Sequence, residues 1–223
     1  MSLRVVVPPH PLIGHWLTML RHRETPAALY ATALQELGRW LTYEALRDWL
    51  PHRREMVPGL HGDTEGTLVE ASVPLIAIPV LPAGLELWQG GRSVLPDSCL
   101  CLGSCPQEIE ANAGVILFVD QISDGEATLK LLQELRSKGV DGRRLRLITA
   151  LCASPGLKLL GEAIPDLTLH TACIDEGVGE QGHRFPDESH PAPPRPRQCK
   201  RCAALGLESL HPTASVLDWR TGQ

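Results

Sequence analysis

The chain carries no excess of positive charge: 21 Lys and Arg stand against 26 Asp and Glu, a formal net charge of −5. Sequence-independent attraction to a phosphate backbone is therefore missing, and nucleic acid is not the expected partner. No apolar run is long enough to span a bilayer, so no membrane partner is expected either. The early apolar stretch is broken by Pro8, Pro9 and Pro11, too short and interrupted for an export signal or an anchor. A cytoplasmic location is the expectation. Repeats of roughly 20 to 50 residues are absent, which removes repeat architectures. Cysteine is odd in number, seven, and without an export signal thiols stay reduced, so no disulfide framework is implied.

What is present suits one domain with a tail: 223 residues bury a substantial core. Thr25 followed by Pro26 predicts a helix start with Thr25 as cap. Leu29, Ala33, Leu37, Trp40, Leu41 and Leu46 then recur at mostly helical spacing until Pro51. Residues 53–66 are charged, contain glycine and keep no sustained period, and read as a loop. A buried strand is expected over 73–81, with a turn at Ala83 and Gly84. Further apolar runs at 115–120, 145–153 and 167–174 alternate with helical patterns at 128–135 and 155–163, and Gly139 closes the first of these helices. Strands and helices in this order predict an α/β fold: a parallel central sheet flanked by helices, with an N-terminal helical region and ligands beyond the carboxyl ends of the strands.

Past Pro186 the character changes, and four prolines between residues 190 and 198 predict a poorly ordered tail over 187–223, leaving residues 1–186 as the domain. Cys199 and Cys202 have CxxC spacing, but a metal needs two more ligands, such as His190 or His211, so no metal site is assigned. Cys99, Cys101 and Cys105 are irregularly spaced and read as incidental thiols. Tyr30, Trp40, Tyr43 and Trp49 read as core or dimer packing rather than a base-stacking surface.

Several short motifs occur in a telling order: HPLIGH at 10–15, LTMLR at 17–21, TP at 25–26, YEALRD at 43–48, PVLPAGL at 79–85, Val119 with Asp120, ASPGL at 153–157, Pro165 with Asp166, and TACIDE at 171–176. Together, over residues 4–186, they resemble the uracil phosphoribosyltransferase family. The resemblance implies a phosphoribosyltransferase-like fold and transfer of ribose 5-phosphate from 5-phosphoribosyl-1-diphosphate (PRPP), usually with Mg²⁺, to N1 of uracil or another pyrimidine, giving UMP and diphosphate. A homodimer or higher homo-oligomer is implied as well. The catalytic groups are not assigned. PRPP binding falls to Ala83, Gly84, Asp120, Ser123, Asp124, Gly125, Glu126, Ala127 and Thr128, and uracil binding to Arg184 and Pro186.

This sequence departs from the family pattern at four places. The pattern has an arginine before AGL to neutralise diphosphate, where this chain has Pro82, a residue with neither charge nor N–H. No second arginine stands in residues 102–110; Arg92 is the nearest cation in sequence. The phosphate loop, of the type DPMLATGGS in the family, reads DQISDGEA at 120–127 and sets Asp124 and Glu126 beside the expected dianion, where each like-charge contact costs roughly a kcal/mol. The base loop is matched only at its start, over 182–186. These departures support an alternative, a catalytically degenerate paralogue with a nucleotide-binding, regulatory or structural role. Asp120 is open to a ligand role or a turn role, as are Asp175 and Glu176; His10 and His15 are expected to pack or cap.

Overall fold

The computed structural model describes residues 3–70, 72–95, 97–102 and 105–175. Four apolar runs become the strands β4 (Leu75–Pro79), β6 (Gly114–Ile122), β7 (Leu145–Ala153) and β8 (Thr168–Asp175). With β1 (Arg4–Val6) and β5 (Cys99–Leu100) at the edges they form a six-stranded parallel sheet in the order β1-β8-β7-β6-β4-β5. The expected α/β fold with a parallel central sheet is thus the observed one.

Continuous apolar runs, rather than alternating ones, arise because both faces are covered. Successive β6 side chains go to opposite faces. Ile116 and Phe118 join Leu17 of α1 (Pro11–Arg21), Leu37 and Leu41 of α2 (Ala27–Leu46) and Leu87 of α3 (Gly84–Gly91). Val115, Leu117 and Val119 join Leu132 and Leu135 of α4 (Glu126–Ser137) and Leu160 of α5 (Ser154–Ala163). Helix α2 crosses α3 at Gly38, where an added Cβ would collide with the Leu87 carbonyl. Helix α4 ends as its glycine predicts: Gly139 takes φ +83, and the N–H of Val140 donates to the Leu135 carbonyl at 3.1 Å.

Three local expectations are corrected, and one strand is added. Residues 53–66 are not a loop but most of an antiparallel hairpin, β2 (His52–Gly59) and β3 (Gly62–Val69), outside the main sheet. Only Val57 and Gly66 of its strands are half-buried, so there is no buried face to impose an alternating pattern. Thr25 does not cap α2; its hydroxyl donates to the Met19 carbonyl at 2.7 Å, and Pro26 holds the N-cap position without a side-chain bond. Gly84 opens a helix rather than completing a turn. Strand β1, three residues paired with β8, is too short to leave a pattern in the sequence.

Among the described residues no helix is long and apolar enough to cross a membrane. Glu176, Arg184, Pro186, His190, Cys199, Cys202, His211 and the tail lie outside the described residues.

Candidate functional site

In the sheet order, β5 lies to one side of β4 while β6, β7 and β8 follow on the other, so the chain reverses direction between β4 and β6. Open parallel sheets leave a crevice beyond the carboxyl ends of the strands at such a point. Residues 81–84, after β4, and residues 123–125, after β6, both lie there, which brings together the two segments that the sequence assigns to PRPP.

The first segment is held by its backbone. The N–H of Val80 donates to the Phe118 carbonyl at 2.8 Å, and the N–H of Gly84 to the Val80 carbonyl at 2.9 Å. An added Cβ at Gly84 would collide with the Phe118 oxygen, so only glycine lets α3 begin this close to β6. Ala83 is half-buried against the core and Pro82 is exposed after a cis Leu81–Pro82 peptide. Arg92 does not take the place of the missing arginine. It follows the far end of α3, a helix of eight residues and hence about 12 Å long, and stacks over Trp88 at 5.7 Å.

The second segment begins at Asp120, half-buried near the end of β6, whose backbone carbonyl accepts from the Thr149 hydroxyl at 3.2 Å. Burial first, and then the Asp120 charge, push the Tyr30 hydroxyl up to about 12. Tyr30 sits in the first turn of α2, so that helix brings a phenol within electrostatic reach of Asp120. Sequence reading gave Tyr30 a packing role and missed this proximity; an aromatic near the start of a helix that covers the sheet was the available signal.

Beyond Asp120 the chain turns sharply into α4. Ser123 and Asp124 are exposed, Gly125 is buried with φ +82, and Thr128 is 7% exposed. The turn is braced by α5: the N–H of Gly156 donates to the Ser123 carbonyl at 3.0 Å, and a Cβ on Gly125 would lie 3.0 Å from the Gly156 Cα. Backbone N–H groups at such a turn form an anion cradle. Asp124 changes it: one carboxylate oxygen accepts from the Glu126 N–H at 3.0 Å, so a side chain already occupies a donor at the mouth of α4. Ser123 and the N–H groups of Gly125 and Ala127 are the donors left, while Glu126 is exposed in the first turn.

Two strands away from β6, a lateral offset of about 10 Å, Asp175 ends β8. Its carboxylate accepts from Arg21 Nη2 at 2.6 Å and its backbone carbonyl from the Ser154 hydroxyl at 3.0 Å. Asp175 therefore ties α1 and α5 to the sheet. His10 caps α1, with Nδ1 accepting from the Leu12 N–H at 3.2 Å, and stacks on Trp40; His15 meets Trp16 edge-on at 4.9 Å.

The switch-point crevice carries a carboxylate at the end of β6 and a glycine turn directly after it. The uracil phosphoribosyltransferase family model matches residues 7–103 and 99–188. The uracil phosphoribosyltransferase of Synechococcus elongatus is 38% identical, over 83% of this chain and 93% of that protein. That of Nostoc sp. is 36% identical over the same shares, and the chloroplastic one of Arabidopsis thaliana 32% over 82% and 67%. The solved structure of the AQ2163 protein from Aquifex aeolicus shares the fold, with a TM-score of 0.67 at 23% identity over 80% of this chain and 90% of that one. Ordered motifs, sheet topology and family match agree: the chain belongs to the uracil phosphoribosyltransferase family.

Proposed function

We propose that this protein transfers ribose 5-phosphate from PRPP to N1 of uracil, forming UMP and diphosphate in pyrimidine salvage. The observation that carries the proposal is Asp120 on the switch-point strand, followed directly by the turn through Gly125 into α4, in a chain of this family. Asp120 holds the ribose hydroxyls, with Tyr30 beside it. Ser123 and the N–H groups of Gly125 and Ala127 hold the 5′-phosphate. The backbone at Ala83 and Gly84 faces the diphosphate, and Arg184 and Pro186 supply the edge that selects the base.

Chemically, the C1′–O bond to diphosphate breaks with its electron pair leaving on diphosphate, the N1–C1′ bond forms, and the N1 proton passes to water. Holding sugar and base in one crevice converts a bimolecular encounter into a positioned one. Pro82 and the Asp124 carboxylate weaken the hold on both phosphate ends, so turnover is slower than with an arginine and an unoccupied cradle. Mg²⁺ takes one or two carboxylates together with substrate phosphates, and the Asp120 carboxylate fits that donor set. When bound, the ion neutralises charge on the departing diphosphate.

The hairpin supports a homodimer. Met56 is 60% and Leu60 94% exposed, and an isolated two-stranded hairpin is marginal in water, so a second copy covers it. Sedimentation that returns a monomer at micromolar concentration refutes that part. For the reaction, calorimetry with PRPP and Mg²⁺ on folded protein tests the assignment: saturable binding, lost in Asp120→Asn, supports it, and no heat with wild type overturns it.

A further inference from the structure

Three cysteines stand on and just after β5, the strand at one edge of the sheet. Cys99 and Cys101 flank Leu100, so their side chains leave the same face of the strand and Leu100 leaves the other. Packing agrees. Leu100 rests on the cluster beneath α2 and α3, whereas Cys101 and Cys105 join the cluster beneath α4 and α5. The Cys101 thiol lies within hydrogen-bonding reach of the Cys99 thiol. Cys105 is buried and turns its thiol to Glu134 of α4 instead.

Two residues along a parallel strand span about 6.6 Å, inside the roughly 4.4–6.8 Å that a disulfide allows between Cα atoms. The pair can therefore bond without rebuilding the sheet. Strand β5 is only Cys99 and Leu100, opposite Ile76 and Ala77 of β4, and the Cys101 N–H closes the pairing by donating to the Ala77 carbonyl at 2.9 Å. The usual Cα separation of about 5.5–6 Å is shorter than the strand span, so a crosslink puckers the chain at Leu100. Strained, accessible disulfides of this kind are the readily reduced ones. Cys99 is exposed and Cys101 half-buried, so a reagent from solvent meets Cys99 first. Burial first, and then Cys99, push the Cys101 thiol up, which keeps it protonated while Cys99 reacts.

We propose that Cys99 and Cys101 form a reversible redox pair, closed to an intrachain disulfide by exchange with a low-molecular-weight disulfide of the glutathione class. The Cys99 thiolate, its proton lost to water, attacks one sulfur of the reagent, whose S–S bond breaks and releases one thiolate. The Cys101 thiol then gives its proton to water, and its sulfur attacks the Cys99 sulfur and expels the second thiolate. Both released thiolates take up protons. The protein thus loses two electrons and two protons, and the reagent gains them. In a reducing compartment the pair stays a dithiol, and it closes when the poise becomes more oxidising. Closure pulls the Cys101 N–H from the Ala77 carbonyl and loosens the edge of the sheet. The pair stands whether or not the chain turns over PRPP.

The test incubates folded full-length protein with oxidised glutathione at about pH 8, close to the ordinary thiol range, alkylates the remaining thiols and maps the products by mass spectrometry. Cleavage after Arg92 and Lys130 puts Cys99, Cys101 and Cys105 on one peptide. The expected product has Cys99 joined to Cys101 and an alkyl group on Cys105, and dithiothreitol returns all of these thiols. In Cys101→Ser, glutathione should stay on Cys99 at least about tenfold longer than in wild type. Cys105→Ser should leave the Cys99–Cys101 bond unchanged. Should Cys101→Ser fail to fold, wild type decides alone, because the bonded pair is read directly from its peptide. Glutathione that persists on Cys99 of wild type, a bond from Cys101 to Cys105, or alkylation of all these thiols overturns the proposal.

Discussion

Replacing Gly125 with alanine separates two costs that the turn into α4 combines. Its φ of +82 lies in the left-handed region, where an L side chain costs about 1 kcal/mol or slightly more. Its Cβ would also sit 3.0 Å from the Gly156 Cα and 3.1 Å from the Gly156 oxygen, which are backbone atoms that cannot swing aside. Overpacking of this kind adds about 1–3 kcal/mol. Gly139 supplies the control, with φ +83 and nothing within 4 Å of its added Cβ. Gly139→Ala should therefore lose about 1 kcal/mol and Gly125→Ala about 2–4 kcal/mol, read as midpoint shifts in urea at constant slope. At about 2–4 °C per kcal/mol for a domain of this size, the melting temperatures fall by roughly 2–4 °C and 4–16 °C. Because α5 braces the turn proposed to hold the 5′-phosphate, Gly125→Ala should also raise KM for PRPP more than it lowers kcat. Equal losses in the two variants would refute the claim that α5 packs against the cradle.

Arg21→Met breaks the 2.6 Å ion pair that ties α1 to Asp175; with both side chains about a quarter to a third exposed, screening reduces the loss to about 1–2 kcal/mol in urea titrations, and a loss below about 0.3 kcal/mol rejects the tie. His170 titrates near 4 when folded and near 6.5 when unfolded. Between these values the unfolded chain binds the extra proton, so folding loses up to about 3 kcal/mol as pH falls from 6.5 to 4. His170→Gln in phosphate-free buffer should flatten that acid limb; an unchanged slope contradicts the burial of a neutral ring. Tyr30→Phe removes the phenol beside Asp120 and should lower kcat/KM for PRPP about tenfold, which is about 1.4 kcal/mol, with melting temperature nearly unchanged; full activity would leave Tyr30 as packing only.

Elements buried on two faces could be read from the sequence, because burial writes itself into composition. β7 occupies residues 145–153 as expected, and α4 stops where Gly139 requires it. The hairpin left no such trace, since its strands are exposed almost throughout and Arg53 is held by Glu55 and Glu70 rather than by packing. For the crevice, the ordered motifs located Asp120 and the turn through Gly125. They did not show that Asp124 would bend back onto the Glu126 N–H, a local choice between solvent and backbone that composition does not decide. Arg21 with Asp175, and Arg146 with His170, meet only because the sheet order brings distant segments together.

The most direct test of the central claim is UMP formation from PRPP, Mg²⁺ and radiolabelled uracil, run on wild type and Asp120→Asn. Wild type is predicted to turn over, and the variant to lose about 10²–10³ in kcat/KM while keeping its fold. No UMP from folded wild type at saturating substrates would contradict the account.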